Sequence, residues 1–490
     1  MRPFADVAAE MEETLDPGDW DEMRALSHRI VDDSIDYMRD IRRRPVWREM
    51  PEEVRTFFQA PLPRKPAPTA EVYRQVTEKL MPYPMGNVHP RFWSWYMGSG
   101  NFTGALADFL AAVQGSNLGG GSHAAALMDE QVVNWCKEMV GFPASASGTL
   151  LSGGSMANLI GLTVARNVKA GVDVREEGVA AISKPLRYYG SDQIHSCHRR
   201  ALEVLGLGNR ALRRIATGED LRIDLTALRR AIAEDRAESF RPICIIANAG
   251  TVNTGAIDDL EALARLAAEE DLWLHVDGCI GALLAIAPRN AYRVCGLEHA
   301  DSVALDPHKW LHAPFDVGCI LIRNATAHRE SFAVTPEYLE STPRGLASGR
   351  WLYEYGLQTT RSFRALKVWM ALKEHGVEAF GRLIDQNIAQ AAFLTQLIVE
   401  EPFLELVAPT SINIVCFRFR PGAVSAEALK ALNTEIMLRL QEQGTAALSD
   451  TTVHGEHCLR VAINNHRTRR DDLELLIRET VRLGRQISGI

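Results

Sequence analysis

Four short runs, ICIIANA (243–249), LWLHVD (272–277), SVALD (302–306) and GCILI (318–322), are apolar at odd and even positions almost alike. A strand that shows one face to water alternates in polarity, so runs of this kind are buried on both faces. Between the first two lies a helical stripe of Leu260, Leu263, Ala264 and Ala267. Doubly buried strands alternating with helices predict an α/β architecture, a mainly parallel sheet covered on both sides. Upstream, Met128, Val132, Cys136 and Met139 form a helical face ending at Gly141. TLLSGG then reads as strand into turn, and Met156, Leu159, Ile160 and Thr163 mark the next helix.

On either side of this block the pattern changes. Met23, Leu26, Ile30, Tyr37 and Ile41 recur at helical spacing up to Pro45, an apolar seam in a charged segment. APLPRKPAP (60–68) follows and should be extended. Near the other end, INIVCFRFR (412–420) and CLRVAIN (458–464) alternate in polarity, as half-buried strands of an open sheet do. Helices are expected around Leu429, Leu432 and Ile436, and around Leu473, Leu476 and Ile477, the latter behind a Thr468 to Asp471 capping pattern. The expected organisation is an N-terminal helical segment (1–85), a large domain (86–375) and a small α+β domain (376–490).

Composition excludes several classes of partner. The formal charge of −8 comes with basic residues that are scattered apart from Arg42 to Arg44, which leaves no electrostatic footprint for nucleic acid. No run approaches the ~18 apolar residues of a membrane span, and MRPFADVAAEMEE lacks the order of a signal peptide, so the cytoplasm is the expected location. The eight cysteines occur singly without a CxxC pair, so neither a disulfide framework nor a metal site is expected.

In open α/β sheets ligands gather beyond the carboxyl ends of the strands, which directs attention to the residues that follow each one. SGGSMAN (152–158) places two glycines between strand and helix, where free N–H groups and the helix dipole can hold an anion; alone, such a turn is more often plain geometry. Asp277 ends an apolar strand, and a buried charge without its partner costs about 3–5 kcal/mol, so a cation should face it. NAGTVNTG (248–255) can present the Thr251 hydroxyl over the same crevice. His195, in SDQIHS, offers a flat imidazole at a strand end, although a structural histidine is the commoner case. In DPHKW (306–310), Lys309 follows the strand SVALD, where an isolated lysine is usually solvated.

Together these strand ends make a different case. Phosphate cup, buried acid and then lysine is the order a pyridoxal 5'-phosphate site requires. Lys309 would form the Schiff base, for which a desolvated amine of lowered pKa is suited. Asp277 would pair with the pyridinium nitrogen, so that the ring can accept the electrons left at Cα when a bond there breaks.

With HPRFW (89–93), SGGSMAN, SDQIHS, NAGTVNTG, HVDGCIG (275–281) and DPHKW in this order, the chain resembles the group II pyridoxal-phosphate decarboxylases, the family of aromatic amino acid, glutamate and histidine decarboxylases. The resemblance implies fold type I, the aspartate aminotransferase-like architecture. It also implies a homodimer clasped by the N-terminal helix, with an active site shared between subunits. By resemblance, Lys309 is the Schiff-base lysine, His195 stacks on the ring, Asp277 meets the ring nitrogen, Thr251 lies beside the ring, and Gly154, Ser155 and His308 hold the phosphate. Tyr338, in FAVTPEYLES, matches the mobile-loop tyrosine that reprotonates Cα; relatives that make aldehydes lack it. Arg460 matches the arginine that binds the substrate α-carboxylate in glutamate decarboxylase.

The substrate pocket of relatives is built from the segment after the HP motif, here with Trp93, Trp95 and Tyr96, and from a loop of the other subunit, here SNLGGGSH (116–123). Trp95 stands where glutamate decarboxylases place Gln, which favours a bulky or aromatic amino acid as substrate over an acidic one. Two departures stand out: Asp306 replaces the usual Asn near the phosphate, and HVDGCIG is similar to the sphingosine-phosphate lyases, which cleave Cα from Cβ. The expected activity is decarboxylation to an amine and CO2. An aldehyde synthase or retro-aldol lyase is the enzymatic alternative, and a catalytically silent cofactor-binding regulator the non-enzymatic one.

Overall fold

The computed structural model describes residues 14–334 and 341–490. The chain divides into two compact units, one formed by residues up to 45 with 49–84, the other by 46–48 with 85–490. In the first, the helix Trp20–Arg39 starts at Asp19, whose carboxylate accepts from the N–H of Asp21 (2.8 Å) and Glu22 (3.0 Å). None of its residues is buried, and Ile30, Val31 and Ile35 are exposed. The proline-rich 60–68 segment forms no helix or strand.

The second unit is built on a sheet of seven strands: β1 (Ser147–Leu151), β2 (Leu186–Ser191), β3 (Leu212–Ile215), β4 (Arg241–Asn248), β5 (Trp273–Asp277), β6 (Ser302–Leu305) and β7 (Gly318–Ile322), in the order β1-β7-β6-β5-β4-β2-β3. β7 is antiparallel to both neighbours and the remaining pairs are parallel, so the other six strands point their carboxyl ends to one edge. Alternate residues of β4 enter different cores: Ile245 and Ala247 pack with Val132, Cys136 and Leu263, whereas Cys244 and Ile246 pack with Ile160 and Leu162. This is why the runs carry no polar alternation. The helices Ala124–Met139 and Leu260–Glu269 thus cover one face and Gly154–Lys169 the other.

A second sheet, β8 (Leu404–Leu406), β9 (Ile414–Phe419), β10 (Ser449–Val453) and β11 (Glu456–Ala462), is antiparallel throughout, in the order β10-β11-β9-β8. Here the expectation of half-buried strands fails, because every residue of β9 is buried. Val415, Phe417 and Phe419 pack under Ile436, Leu473 and Leu476, while Ile414 and Cys416 join a core of the large sheet. The polar position of β9 faces protein, where buried Arg418 reaches Glu405 at 2.7 Å.

The last helix also begins differently. Arg470–Ser488 is capped at Arg469, whose N–H donates to Asp472 at 2.8 Å. Thr468 instead donates to the carbonyl of Pro90 (2.6 Å) and accepts from the Trp93 indole (3.2 Å), which ties HPRFW to the second sheet's helices. Among the described residues no helix is long and apolar enough to cross a membrane.

Gly484 in this helix lies so close to β9 that an added Cβ would meet the Phe419 ring at 2.5 Å. Gly484→Ala should therefore lower unfolding free energy by about 1–3 kcal/mol, measured by denaturant titration.

Candidate active site

A cavity of about 510 Å³ opens at the carboxyl edge of the large sheet, within the usual size of a small-molecule site. Lys309, Asp277, His195 and His308 line it, as do Gly154 and Ser155 at the start of the helix behind β1. Trp95, Tyr96 and Arg460 form further wall. Lys309 is delivered by the turn between β6 and β7, and Asp277 is the last residue of β5, level with Asn248 and Ala304 on the neighbouring strands.

Lys309 is the one amine among the described lining residues. Its Nζ lies 3.1 Å from Asp306 Oδ2 and 5.6 Å from the centre of the Tyr96 ring. Burial favours the neutral amine, but the charge of Asp306 and of the other groups around it outweighs burial, and the pKa of Lys309 moves up. The expectation of a lowered pKa is thus reversed in the protein alone. Asp306 replaces Asn without an unbalanced charge in the cup because it pairs with this lysine.

Asp277 has partners of its own. Its Oδ2 meets His198 Nε2 at 2.8 Å and accepts from Asn158 Nδ2 at 3.1 Å, and Oδ1 accepts the N–H of Cys279 at 3.2 Å. Burial pushes the carboxyl up, yet the hydrogen bond and charge of His198 pull it well below the usual range. A protein cation therefore already faces this acid. Burial favours neutral His198, and Cys197 and Asp277 reverse that, raising it to about 10. Cys197, His198 and Asp277 offer donor atoms within 4.8 Å of one another, although His198 and Asp277 are committed to each other.

The remaining expected residues divide. His195 caps the helix Ser196–Val204, its Nδ1 accepting the Cys197 N–H at 3.2 Å. His308 shares a 2.7 Å hydrogen bond between Nδ1 and the Val317 carbonyl, and burial lowers its pKa. Thr251 departs from expectation. Its hydroxyl accepts the Ala256 N–H (3.1 Å) and meets Thr254 (3.1 Å), so it closes its own turn while Gly250, Val252 and Asn253 line the cavity. Arg460 is buried, and donates to the carbonyls of Asn253 (3.0 Å), Val252 and Trp95 and to Ser449 Oγ (3.3 Å). One N–H of its five is left. Tyr338 lies outside the described residues. The 116–123 segment bonds to 346–361, through Leu118 to Arg361 (2.9 Å) and Gly121 to Arg350 (3.0 Å), and does not line its own chain's cavity.

Sequence reasoning missed His198, Asn158, Cys279 and Asp450, which line or support this cavity. His198 stands one helical turn beyond His195 and Asn158 one turn beyond Gly154, a spacing that puts each on its neighbour's face.

Residues 51–420 match the family model of the pyridoxal-dependent decarboxylase conserved domain. The chain belongs to the pyridoxal-dependent decarboxylases. It is 36% identical over 474 residues to an aromatic-L-amino-acid decarboxylase of Bacillus atrophaeus, covering 96% of each chain. It is 27% identical over 478 residues to a phenylacetaldehyde synthase of a Rosa hybrid cultivar, covering 93% of this chain and 92% of that one. The structure of Oryza sativa TDC with PLP and tryptamine superposes with a TM-score of 0.89 at 25% identity, over 97% of this chain and 100% of that one. The protein is therefore a carboxy-lyase of fold type I that uses pyridoxal 5'-phosphate and decarboxylates an amino acid.

The residues of the decarboxylase cavity fit that cofactor. An amine and an acid face one space, and the helix N-terminus at Gly154 offers N–H groups that have no acceptor within the helix. The backbone there is closely walled: a Cβ on Gly154 would meet Cys279 Sγ at 2.3 Å and Asp306 Oδ2 at 2.9 Å.

Two outcomes follow from this geometry. Gly154→Ala should lose most bound cofactor while keeping its far-ultraviolet circular dichroism, checked by absorbance per chain after reconstitution. Asp306→Asn removes the anion that raises Lys309, so acylation of Lys309 in the apoprotein should begin at lower pH than in the wild type, measured by peptide mapping across a pH series.

Proposed function

We propose that this decarboxylase acts on an L-amino acid with a bulky aromatic side chain, releasing the amine and CO2, with Lys309 carrying the cofactor. The observation that carries the substrate class is the apolar part of the cavity wall. Trp95, Tyr96, Met97 and Ile280 border the cavity with Asp450, and Arg460 spends four N–H groups on its surroundings. Such a wall has apolar surface for a ring. The relatives named above as aromatic amino acid decarboxylase and as TDC with tryptamine support the same class.

Bound pyridoxal phosphate supplies a ring that takes up the electron pair left at Cα as CO2 departs. The chain's own residues orient and manage protons. Lys309 would hold the cofactor through its amine, and Asp277, ionised, would hold a proton at the ring nitrogen. Gly154, Ser155 and His308 bind the phosphate, while Thr251 braces the turn beside the ring by closing it. His195, which lines the cavity, would stack on the ring and steer the departing and returning groups. Tyr338 delivers a proton to Cα. Arg460 fixes the Trp95 carbonyl and keeps one N–H for the substrate carboxylate, and Trp95 and Tyr96 bound the side chain.

We assign the enzyme to the cytoplasm as a homodimer with a shared active site, residues up to 85 serving dimerisation, 86–375 the cofactor and 376–490 the wall near Arg460. Exposed Leu106, Phe109, Leu110 and Val113 on the helix Phe102–Gln114 support a self-complementary apolar contact. Sedimentation should give twice the chain mass.

A panel of aromatic, aliphatic and acidic amino acids, with CO2, amine and aldehyde all measured, tests the activity. Aromatic substrates should yield amine with kcat/KM higher than acidic ones by roughly tenfold or more. Aldehyde as main product, or Cα–Cβ cleavage, would replace the proposal by an aldehyde synthase or retro-aldol lyase. Cofactor binding without turnover would leave the silent regulator. Tyr338→Phe should lower amine yield and raise aldehyde.

A further inference from the structure

His198 is the third residue of the helix Ser196–Val204 and is fully buried, with Nε2 2.8 Å from Asp277 Oδ2 and Nδ1 without a hydrogen-bond partner. A buried imidazole with an orphaned nitrogen is a poor choice for packing alone, because an apolar side chain would fill the space without the unmet group. Besides the neighbouring Cys197 thiol, it contacts the acid of the cavity.

The other contacts of Asp277 give the arrangement its direction. Asn158 Nδ2 donates to Oδ2, so its Oδ1 is left to accept, and His275 Nε2 lies 2.8 Å from that oxygen. His275 must then carry its proton on Nε2, and its Nδ1 accepts from Ser302 Oγ at 2.8 Å, whose oxygen accepts the Trp273 indole N–H at 2.8 Å. Burial and the neighbouring His198 lower His275 to about 3, so it is neutral. The chain of bonds from Trp273 to Asp277 therefore fixes donors without adding charge. His198, whose pKa Cys197 and Asp277 raise, is the titratable group in direct contact. With Oδ2 held by two side chains and Oδ1 by only the Cys279 N–H, the carboxylate plane is set and Oδ1 keeps a free lone pair.

We propose that His198 is a positioning residue for the decarboxylation: it holds Asp277 ionised and oriented before the cofactor arrives, so that the acid meets the ring nitrogen without rearrangement. The proposal rests on the assignment of Asp277 to that nitrogen. It follows the general logic by which an outer partner fixes the orientation and charge of a group that touches a cofactor.

The pair has a pH signature in the apoprotein. Asp277, lowered in the fold, contributes stability above its unfolded pKa of about 4, and His198, raised, contributes it fully below its unfolded pKa of about 6.5. The contribution is lost as pH rises from there through about 10. The titratable groups that face the pair are His195 and Cys197 on its own helix, His275 on β5, Cys279 behind β5, and Lys309 with Asp306 across the cavity. All of them remain in a His198 variant, but the Cys197 thiol, which His198 helps lower to about 6, titrates higher there, so the pH slope reports His198 with both Cys197 and Asp277 while the cofactor affinity reports its hold on Asp277.

Apoproteins of the wild type, His198→Val and His198→Gln should be compared by two measurements between pH 6 and 10: the dissociation constant for added pyridoxal phosphate, and thermal unfolding without it. His198→Val should bind the cofactor roughly tenfold more weakly or worse and lack the wild type's extra alkaline loss of thermal stability. His198→Gln, which keeps an N–H donor without the charge, should recover part of the affinity but not that slope, and it carries the test if the valine variant fails to fold. Wild-type affinity and an unchanged slope in the variants overturn the proposal. Asp277→Asn separates the layers: if it binds cofactor like the wild type, the assignment of Asp277 falls and this proposal with it. If Asp277→Asn loses affinity and the His198 variants do not, only the role of His198 is overturned.

Discussion

A sheet with both faces buried has only its ends left to meet a ligand, and that constraint shapes the rest of this protein. Six of seven strands point their carboxyl ends to one edge, so the residues placed just beyond those ends meet whatever their distance in sequence. Lys309, Asp277, His195 and the helix start at Gly154 reach the same cavity from four different strand-to-helix turns. β7 is the exception in direction. It runs back against β6 after a connection short enough to hold Lys309 in the turn between them.

The cavity then has to hold charge away from water. It does so by pairing: Lys309 with Asp306, Asp277 with His198, each at hydrogen-bond distance. A buried ion pair adds little to stability compared with apolar packing, but removing one partner is costly, which makes such pairs sensitive reporters of function. Asp306 draws the pKa of Lys309 up, and His198 draws that of Asp277 down.

The legible part of the fold and site was the part that local pattern dictates. Doubly apolar runs located β4 to β7, and glycines and a helical stripe located the turn and helix behind β1. What pattern cannot carry is the long-range partner. Whether Arg460 points to substrate or braces carbonyls at 95, 252 and 253 depends on a loop some two hundred residues away and another three hundred and sixty away. The Thr251 hydroxyl could face the crevice or its own turn, and the hydrogen bond to Ala256 decides it. His198 reads as one more polar residue at a helix start until β5 brings Asp277 beneath it. The second sheet misled for a related reason, since polar residues at alternate positions signal water or a polar interface between two layers equally well.

The proposed chemistry depends on a single covalent attachment point. Reducing the reconstituted enzyme with borohydride and mapping the labelled peptide tests it most directly. The label is predicted on Lys309, at one per chain, and absent from Lys309→Ala; a label on a different lysine, or an unlabelled wild-type chain that nonetheless holds the cofactor, would contradict the account.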